Sequence, residues 1–330
     1  MARPKVFVSR RIPDDGLKPI AAACEVDLWP DQLPPPYDVL RERIKDCDGL
    51  VSLLTDRIDG PLLDAAPKLK VVSNFAVGFN NVDVPACTAR GVCVGNTPGV
   101  LTDATADTAV TLMLAAARRV TESATDAKEG RWLTWEPLGW LGQDLAGRTL
   151  GIVGMGRIGC AVAKRLYHGW GMKVLYTEQV ARPEADQEFG ARRVELVELL
   201  AQSDYISAHV DLNPTTKGMF GAAQFKKMKP TAVFVNTARG PLVDQKALAE
   251  ALRSGTIFAA GLDVTDPEPL APDHELYQLP NCVIVPHIAS ATVGTRNAMA
   301  RLCAENLLAG VSGSALPNWV NPDVADKRRK

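Results

Sequence analysis

The feature that most constrains the fold of this chain is a glycine-rich segment that reads GIVGMGRIG from position 151. Gly154, Gly156 and Gly159 match the spacing G-x-G-x-x-G, between a predicted strand and a predicted helix with one apolar face. The first glycine makes the tight turn, the second lets a pyrophosphate approach the backbone, and the third lets helix and sheet pack closely. A plain strand–helix turn is the alternative, but the pattern favours a dinucleotide site whose loop includes Arg157 and Ile158.

An acidic residue is expected about 20 positions beyond the glycine motif, at the end of the next strand. Glu178 follows the predicted strand Lys173–Tyr176 and meets this expectation, although a solvated strand end is the alternative interpretation. A carboxylate there accepts hydrogen bonds from the ribose hydroxyls of NAD and repels the 2′-phosphate of NADP. The sequence therefore predicts NAD(H) as the preferred cofactor, and the nearby Arg182 leaves NADP(H) open.

Short β-rich runs alternate with helical stretches along two series, which is typical of parallel α/β sheets. The first series predicts strands at Lys5–Val8, Glu25–Leu28, Gly49–Leu53, Lys70–Asn74 and Val92–Val94. The second predicts strands at Thr149–Val153, Lys173–Tyr176, Tyr205–Ala208, Ala232–Asn236, Ala259–Asp263 and Cys282–Val285, with helices at Asp103–Val120 and Thr292–Leu308. A chain of 330 residues usually forms more than one domain.

We therefore predict two doubly wound parallel-sheet α/β domains. A Rossmann-type cofactor domain of residues 101–287 is inserted into a flavodoxin-like substrate domain of residues 1–100 and 288–330.

Composition restricts the function classes. The formal net charge of −1 gives no reason to expect nucleic acid or a membrane as a partner, and no apolar run is long enough to span a bilayer. The N-terminus is too polar for a signal peptide, and seven scattered cysteines without a CxxC pair indicate reduced thiols and no metal site. A cytoplasmic location is expected. The basic run at residues 327–330 is expected to be a frayed, solvated tail.

Three of the six tryptophans lie in the segment Arg131–Leu145, namely Trp132, Trp135 and Trp140. Aromatic residues concentrated in an irregular segment indicate burial against something other than the local sheet. If this segment is buried at a subunit interface, the protein is a homodimer. An equal alternative is that the segment is an arm packed on its own domain.

Three motifs follow later predicted strands, where ligands of open α/β sheets bind: VNTARG from position 235, GLDVTDPEP from 261 and VPHIAS from 285. Arg239 offers a planar guanidinium, His287 a proton donor near neutral pH, and Glu268 a carboxylate that orients the imidazole. His209 is the one serious rival as proton donor, and a cofactor-side or packing role is favoured for it.

Together with the glycine loop, these motifs closely resemble the D-isomer-specific 2-hydroxyacid dehydrogenase family, most of all its glyoxylate/hydroxypyruvate reductases. The resemblance covers nearly the whole chain and includes NFAVG from position 74 and NTPGVLTDATAD from position 96. It implies hydride transfer between NAD(P)H and a small 2-keto acid, with catalytic roles for Arg239, Glu268 and His287. An oxidoreductase of this kind is the predicted function.

The same resemblance implies further contacts. It assigns Thr105, Thr237 and Asp263 to the cofactor, the last through the nicotinamide carboxamide. It assigns the backbone N–H groups of Val77 and Gly78, the side chains of Leu54 and Ser290, and Arg239 to the substrate. Two departures from the family pattern are Ala289 in place of a glycine and Trp140 displaced by one position.

Three alternatives remain open. Phosphite dehydrogenase shares the scaffold but carries a lysine where Val77 stands here, which argues against an inorganic anion as substrate. Other D-2-hydroxyacid dehydrogenases share the same catalytic residues. A non-catalytic NAD-sensing binding protein of this fold can also retain them, and turnover assays distinguish it.

Overall fold

The computed structural model describes residues 3–329 and divides the chain into two compact units. The first unit contains the chain up to Leu101 and the chain from Ala291 onward, and the second contains Thr102–Ser290. One unit is thus assembled from two separated segments, whereas the other is continuous. Lys330, the last residue of the C-terminal basic run, lies outside the described residues.

Strands and helices alternate in both units. The strands are β1 (Lys5–Val8), β2 (Glu25–Leu28), β3 (Gly49–Ser52), β4 (Val71–Asn74), β5 (Cys93–Gly95), β6 (Thr149–Val153), β7 (Lys173–Thr177), β8 (Arg192–Arg193), β9 (Tyr205–Ala208), β10 (Val233–Asn236), β11 (Ala259–Leu262) and β12 (Cys282–Ile284). The helices are α1 (Asp14–Ala23), α2 (Tyr37–Arg43), α3 (Gly60–Asp64), α4 (Val84–Ala89), α5 (Thr102–Ala117), α6 (Val120–Lys128), α7 (Arg157–Trp170), α8 (Pro183–Phe189), α9 (Leu196–Gln202), α10 (Ala222–Phe225), α11 (Gln245–Arg253) and α12 (Val293–Ser312). Short 3₁₀ turns occupy Gly240–Leu242, Glu275–Gln278 and Pro322–Lys327.

The sheet of the first unit has the strand order β2-β1-β3-β4-β5, and every neighbouring pair is parallel. This is the flavodoxin-like order. The C-terminal helix α12 packs on this sheet, where the hydroxyl of Ser73 on β4 donates a 2.8 Å hydrogen bond to the carbonyl of Cys303. Because the strands are parallel, the loops that follow β3, β4 and β5 lie along one edge.

The sheet of the second unit has the order β12-β11-β10-β9-β6-β7-β8 and is also parallel throughout. The strand order reverses beside β6, which is the Rossmann arrangement. The glycine loop follows β6 directly, so it lies at the switch point where dinucleotides bind in this architecture. The predicted fold class, two doubly wound parallel-sheet domains, is confirmed.

The helix that the sequence predicts over Asp103–Val120 is interrupted in the structure. α5 ends at Ala117, and Arg119 has a φ of 54°, a left-handed conformation that cannot continue an α-helix. The Arg119 guanidinium lies 4.9 Å from the centroid of the Trp140 ring and 2.8 Å from the carboxylate of Glu122. These contacts stabilise the break, which the apolar pattern alone does not reveal.

The C-terminal basic run is not a solvated tail at Arg329. The backbone N–H of Arg329 donates a 3.0 Å hydrogen bond to the carbonyl of Gly91. Its guanidinium donates to the carbonyls of Arg90, Ala66 and Leu69 at 2.7, 2.6 and 3.0 Å. The prediction of a frayed tail is wrong at this residue, because a basic side chain can satisfy backbone carbonyls of the first unit.

Among residues 3–329, no helix has both the length and the apolar character that crossing a membrane requires.

Candidate active site

The glycine loop in the second unit has the geometry that its spacing predicts. Gly154 has a φ of 96°, and a Cβ there would lie 2.8 Å from backbone atoms of His209. A Cβ on Gly159 would lie 2.2 Å from the carbonyl oxygen of Gly154, so only glycine allows helix α7 to pack this closely. Gly156 differs, because no atom lies within 4 Å of its Cβ position. The loop therefore leaves open space at the one glycine that a phosphate would approach.

Gly156 is the N-cap residue of α7, and Arg157 and Ile158 form the first turn of this helix. The first N–H groups of a helix have no partner within the helix, and its dipole is positive at this end. Glu178 stands one residue beyond the end of β7, half-buried, and its Oε1 accepts a 2.9 Å hydrogen bond from the backbone N–H of Gln179. The N–H of Gly154 also donates a 3.0 Å hydrogen bond to the carbonyl of Thr177, so the end of β7, which precedes Glu178, lies next to the loop.

Two threonines assigned to the cofactor are buried in the second unit. Thr105 lies on α5 and is 4% exposed, and Thr237 follows β10 and is 7% exposed. The hydroxyl oxygen of Thr237 is buried without a hydrogen-bond partner among the described residues. A buried hydroxyl without a partner is costly, so this atom is suited to contact a bound ligand.

His287 and Glu268 meet although 18 residues separate them in the chain. His287 follows β12, and its Nδ1 lies 2.8 Å from Oε2 of Glu268. The other carboxylate oxygen, Oε1, accepts a 3.1 Å hydrogen bond from the N–H of Thr265. The two side chains are 28% and 34% exposed, so the pair is sheltered yet open to a small molecule. His287 has a φ of 52°, an uncommon conformation for histidine that often marks a functional site.

The charge of Glu268 depends on its neighbours. Burial alone would raise the pKa of Glu268, but the hydrogen bond and charge of His287, the Thr265 N–H and the Arg239 guanidinium lower it below its ordinary value. Glu268 is therefore a carboxylate at neutral pH, and a carboxylate at Nδ1 both fixes the tautomer of the imidazole and stabilises its protonated form.

Asp263, at the carboxyl end of β11, holds the loop that carries His287. Its carboxylate oxygens accept hydrogen bonds from the N–H groups of Ile288 at 2.6 Å and Ala289 at 3.1 Å, and its carbonyl accepts from the N–H of His287 at 2.9 Å. Burial raises the pKa of Asp263, and these N–H groups and the charge of His287 oppose the rise. Sequence reasoning missed this role, because contacts to backbone N–H groups leave no motif.

Arg239 follows β10 and is half-buried. The Asn236 side chain donates a 2.9 Å hydrogen bond to the Arg239 carbonyl, which fixes the turn. Burial lowers the pKa of Arg239, while the negative charges of Glu268 and Asp211 raise it. An arginine keeps its proton under such conditions, so the site holds a permanent cation beside a histidine–carboxylate pair.

His209 follows β9, and its backbone lies beside Gly154 of the glycine loop. Its Nε2 lies 2.9 Å from the hydroxyl of Ser207, and burial lowers its pKa to about 4. A histidine with this pKa is neutral near pH 7 and cannot serve as the proton donor there. The geometry is consistent with a cofactor-side or packing role for His209.

Ser290, the last residue of the second unit, is half-buried three positions after His287. The remaining residues assigned to the substrate lie in the first unit. Leu54 follows β3 and is 38% exposed, and Val77 and Gly78 follow β4 and are half-buried. Their roles stay predictions.

Comparison with known proteins finds relatives along nearly the whole chain. The family described as D-isomer specific 2-hydroxyacid dehydrogenase, NAD binding domain, matches residues 110–289. A glyoxylate reductase from Korarchaeum cryptofilum is 51% identical over 327 residues, which cover 99% of this chain and 98% of that protein. A glyoxylate reductase from Thermococcus litoralis is 49% identical over 326 residues, with 98% of each chain covered.

Solved structures resemble the whole chain as well. A protein from Thermus thermophilus aligns with a TM-score of 0.90 at 46% identity, covering 96% of this chain and 99% of that one. A glyoxylate reductase from Paecilomyes thermophila aligns with a TM-score of 0.86 at 31% identity, covering 98% and 100%. An NADPH-dependent glyoxylate/hydroxypyruvate reductase from Sinorhizobium meliloti, in complex with NADP and malonate, aligns with a TM-score of 0.83 at 34% identity, covering 100% and 99%.

Proposed function

Because this chain belongs to the D-isomer specific 2-hydroxyacid dehydrogenase family, we propose that it reduces glyoxylate and hydroxypyruvate with a reduced nicotinamide cofactor. The observation that carries the proposal is the 2.8 Å contact between His287 Nδ1 and Glu268 Oε2, which prepares a histidine for proton transfer. The second unit, Thr102–Ser290, is the cofactor domain in this proposal, and the first is the substrate domain.

The residues of the second unit fit a nicotinamide dinucleotide. The open side of Gly156 and the N-terminus of α7 suit the pyrophosphate, and Glu178 suits a ribose. The hydroxyl of Thr237, buried without a partner among residues 3–329, and the side chains of Thr105 and Asp263 are the further proposed contacts. When bound, the reduced cofactor supplies a hydride to the carbonyl carbon of the substrate.

The chain itself supplies the proton and the positive charge. His287 Nδ1 is held by Glu268, so Nε2 is the nitrogen that gives a proton to the substrate carbonyl oxygen. Arg239 binds the same oxygen and a carboxylate oxygen through its planar guanidinium. The developing negative charge on the oxygen is thus met by a cation and a proton donor, and in the oxidative direction His287 acts as the base.

The substrate residues are proposed by the same reasoning. The N–H groups of Val77 and Gly78 bind the carboxylate, Leu54 forms an apolar wall and Ser290 contributes a hydroxyl. The side chain of Val77 is uncharged, so it adds no cation to the site. This suits an organic acid whose carboxylate is already bound by the N–H groups.

A substrate panel tests the proposed function. Purified protein is assayed with NADH and NADPH against glyoxylate, hydroxypyruvate, pyruvate and larger 2-keto acids, and with NAD against phosphite. We expect the highest kcat/KM for glyoxylate or hydroxypyruvate. Oxidation of phosphite, or cofactor binding without turnover of any keto acid, would contradict the proposal.

Replacement of Glu268 by glutamine is expected to move the pH profile of glyoxylate reduction. The ionised carboxylate stabilises protonated His287, and the amide does not. The variant should therefore lose reductive activity at a lower pH than the wild type as pH rises. The measurement is kcat/KM across the pH range in which both proteins stay folded, and a shift to higher pH would show that Glu268 does not tune the acid.

NADH is the proposed preferred cofactor, because Glu178 would repel the 2′-phosphate of NADPH. Arg193 donates hydrogen bonds of 2.9 Å to the carbonyls of Glu178 and Gln179, and this nearby cation, like Arg182, makes the expected margin modest. Glu178→Ala should bring the two kcat/KM values closer together. Glu184→Ala, an exposed carboxylate on α8, is the control and should leave the ratio unchanged. A wild-type preference for NADPH would disprove the role of Glu178.

A homodimer is also proposed. In the segment Arg131–Leu145, the side chains of Trp132, Leu133, Trp135 and Leu138 are between 70% and 89% exposed in the single chain. Apolar surface of this extent usually faces a partner, and a second copy of this chain is the partner we propose. Sedimentation velocity at micromolar concentration should give a dimer, and Leu138→Asp should give a monomer while Leu33→Asp, an exposed leucine in the first unit, should not.

A cytoplasmic location is proposed from the thiols. All seven cysteines are free, and five of them are buried. Unpaired cysteines of this number suit a reducing compartment.

A further inference from the structure

The loop that follows β4 contains three consecutive peptide groups whose carbonyls are each held by a neighbouring group. The carbonyl of Ala76 accepts a 2.9 Å hydrogen bond from the backbone N–H of Thr97. The carbonyl of Val77 accepts a 2.8 Å hydrogen bond from the side-chain amide of Asn96. The carbonyl of Gly78 accepts a 3.0 Å hydrogen bond from the side-chain amide of Asn74.

A carbonyl that is held in place also sets the direction of the next N–H. In a trans peptide the C=O and N–H bonds point in opposite directions across a rigid plane. The three N–H groups opposite these carbonyls belong to Val77, Gly78 and Phe79, and within residues 3–329 none of them donates a hydrogen bond to the protein. Three successive N–H groups without a protein acceptor are available to a small anion.

The residues that hold the carbonyls are themselves fixed. Asn74 is completely buried, and Asn96 is 9% exposed. The backbone carbonyl of Asn96 accepts a 2.8 Å hydrogen bond from the side chain of Asn306 on α12. The Asn74 side chain also accepts a 3.0 Å hydrogen bond from the hydroxyl of Ser52. The N–H groups are therefore oriented before any ligand arrives, which reduces the entropy lost on binding.

We propose that Asn96 is a positioning residue for the substrate carboxylate. Its amide holds the Val77 carbonyl and thereby directs the Gly78 N–H toward the carboxylate, and the Phe79 N–H is a third donor beside those of Val77 and Gly78. This inference rests on the proposed reduction of a 2-keto acid. The three N–H groups should bind more than the 2-keto acid substrate, because any small carboxylate such as oxalate can accept the same hydrogen bonds.

The test replaces Asn96 by alanine, which removes the side-chain donor and keeps the backbone. Asn321→Ala is the matched control, because Asn321 is also a buried asparagine in the first unit, where its amide donates to the carbonyl of Val92 at 3.0 Å. Five quantities are measured for each protein: KM and kcat for glyoxylate, the Kd of oxalate by calorimetry, the Kd of NADH by fluorescence and the melting temperature.

Asn96→Ala should raise the KM of glyoxylate and the Kd of oxalate by a common factor of about 10 to 100, the loss expected when the Gly78 N–H no longer points at the charged carboxylate. The Kd of NADH should stay the same and kcat should change much less than KM. Asn321→Ala should lower the melting temperature and leave both carboxylate constants unchanged.

Two results would overturn the inference. Unchanged carboxylate constants in Asn96→Ala would show that its amide does not direct the N–H groups. Equal changes in both variants, in step with the melting temperature, would show a purely structural role. If the wild type binds oxalate but does not reduce glyoxylate, the proposed function fails, and the oxalate constants alone decide the role of Asn96.

Discussion

Replacement of His287 by alanine is expected to lower kcat for glyoxylate reduction by about 10²- to 10⁴-fold, the usual contribution of general acid catalysis. The reason is that the carbonyl oxygen loses its proton donor, while the glycine loop and Glu178 are untouched. The Kd of NADH, measured by fluorescence, should therefore stay close to that of the wild type.

His209→Ala is the control for this experiment. His209 has a pKa lowered to about 4 by burial and contacts Ser207, so it is neutral where the enzyme is expected to work. The control should keep most of its kcat. If it abolishes turnover and His287→Ala does not, the proton donor has been assigned to the wrong histidine.

Replacement of Arg239 by alanine should reduce kcat/KM even more than kcat. Loss of one group that stabilises a developing oxyanion costs about 10²- to 10³-fold in kcat. The same guanidinium is proposed to bind the carboxylate of the ground state, so KM should rise as well. Steady-state kinetics with glyoxylate at fixed NADH separates the two constants.

Arg239→Lys tests whether the site requires the planar geometry of the guanidinium or only its positive charge. Lysine keeps the charge but lacks the planar pair of donors of a guanidinium. Compared with Arg239→Ala, the lysine variant should therefore bring KM part of the way back to the wild-type value and restore little of kcat. Full recovery by lysine would mean that the site needs a charge and not a bidentate donor. If neither variant changed kcat or KM, Arg239 would be excluded from the site.

Much of the fold could be predicted from the sequence because the periodic signals are strong. Buried parallel strands such as Tyr205–Ala208 are short apolar runs, and G-x-G-x-x-G fixes where a sheet reverses its order. β8 could not be predicted, because Arg192 and Arg193 are two exposed arginines that become a strand only by pairing with β7. The break at Arg119 depends likewise on a tertiary contact, the Trp140 ring, and not on a local glycine or proline.

The candidate site divides in the same way. Side chains that carry chemistry, such as His287 and Glu268, are rare enough to find by type, and the family resemblance supplies their pairing. The groups that orient them are ordinary residues: Asp263 holds a loop through backbone N–H groups, and Asn96 holds one carbonyl. Such contacts depend on the register of neighbouring parallel strands, which the sequence does not state.

The two-segment construction of the first unit determines the order in which the protein can fold during synthesis. The ribosome releases β1 to β5 first, but α12, which packs on β3, β4 and β5, belongs to the segment that begins at Ala291. The second unit is continuous, so it can complete its own core while the earlier sheet still exposes an apolar face to water. The part of the chain that is made first is therefore the part that is finished last, and the nascent protein is most exposed to aggregation in that interval.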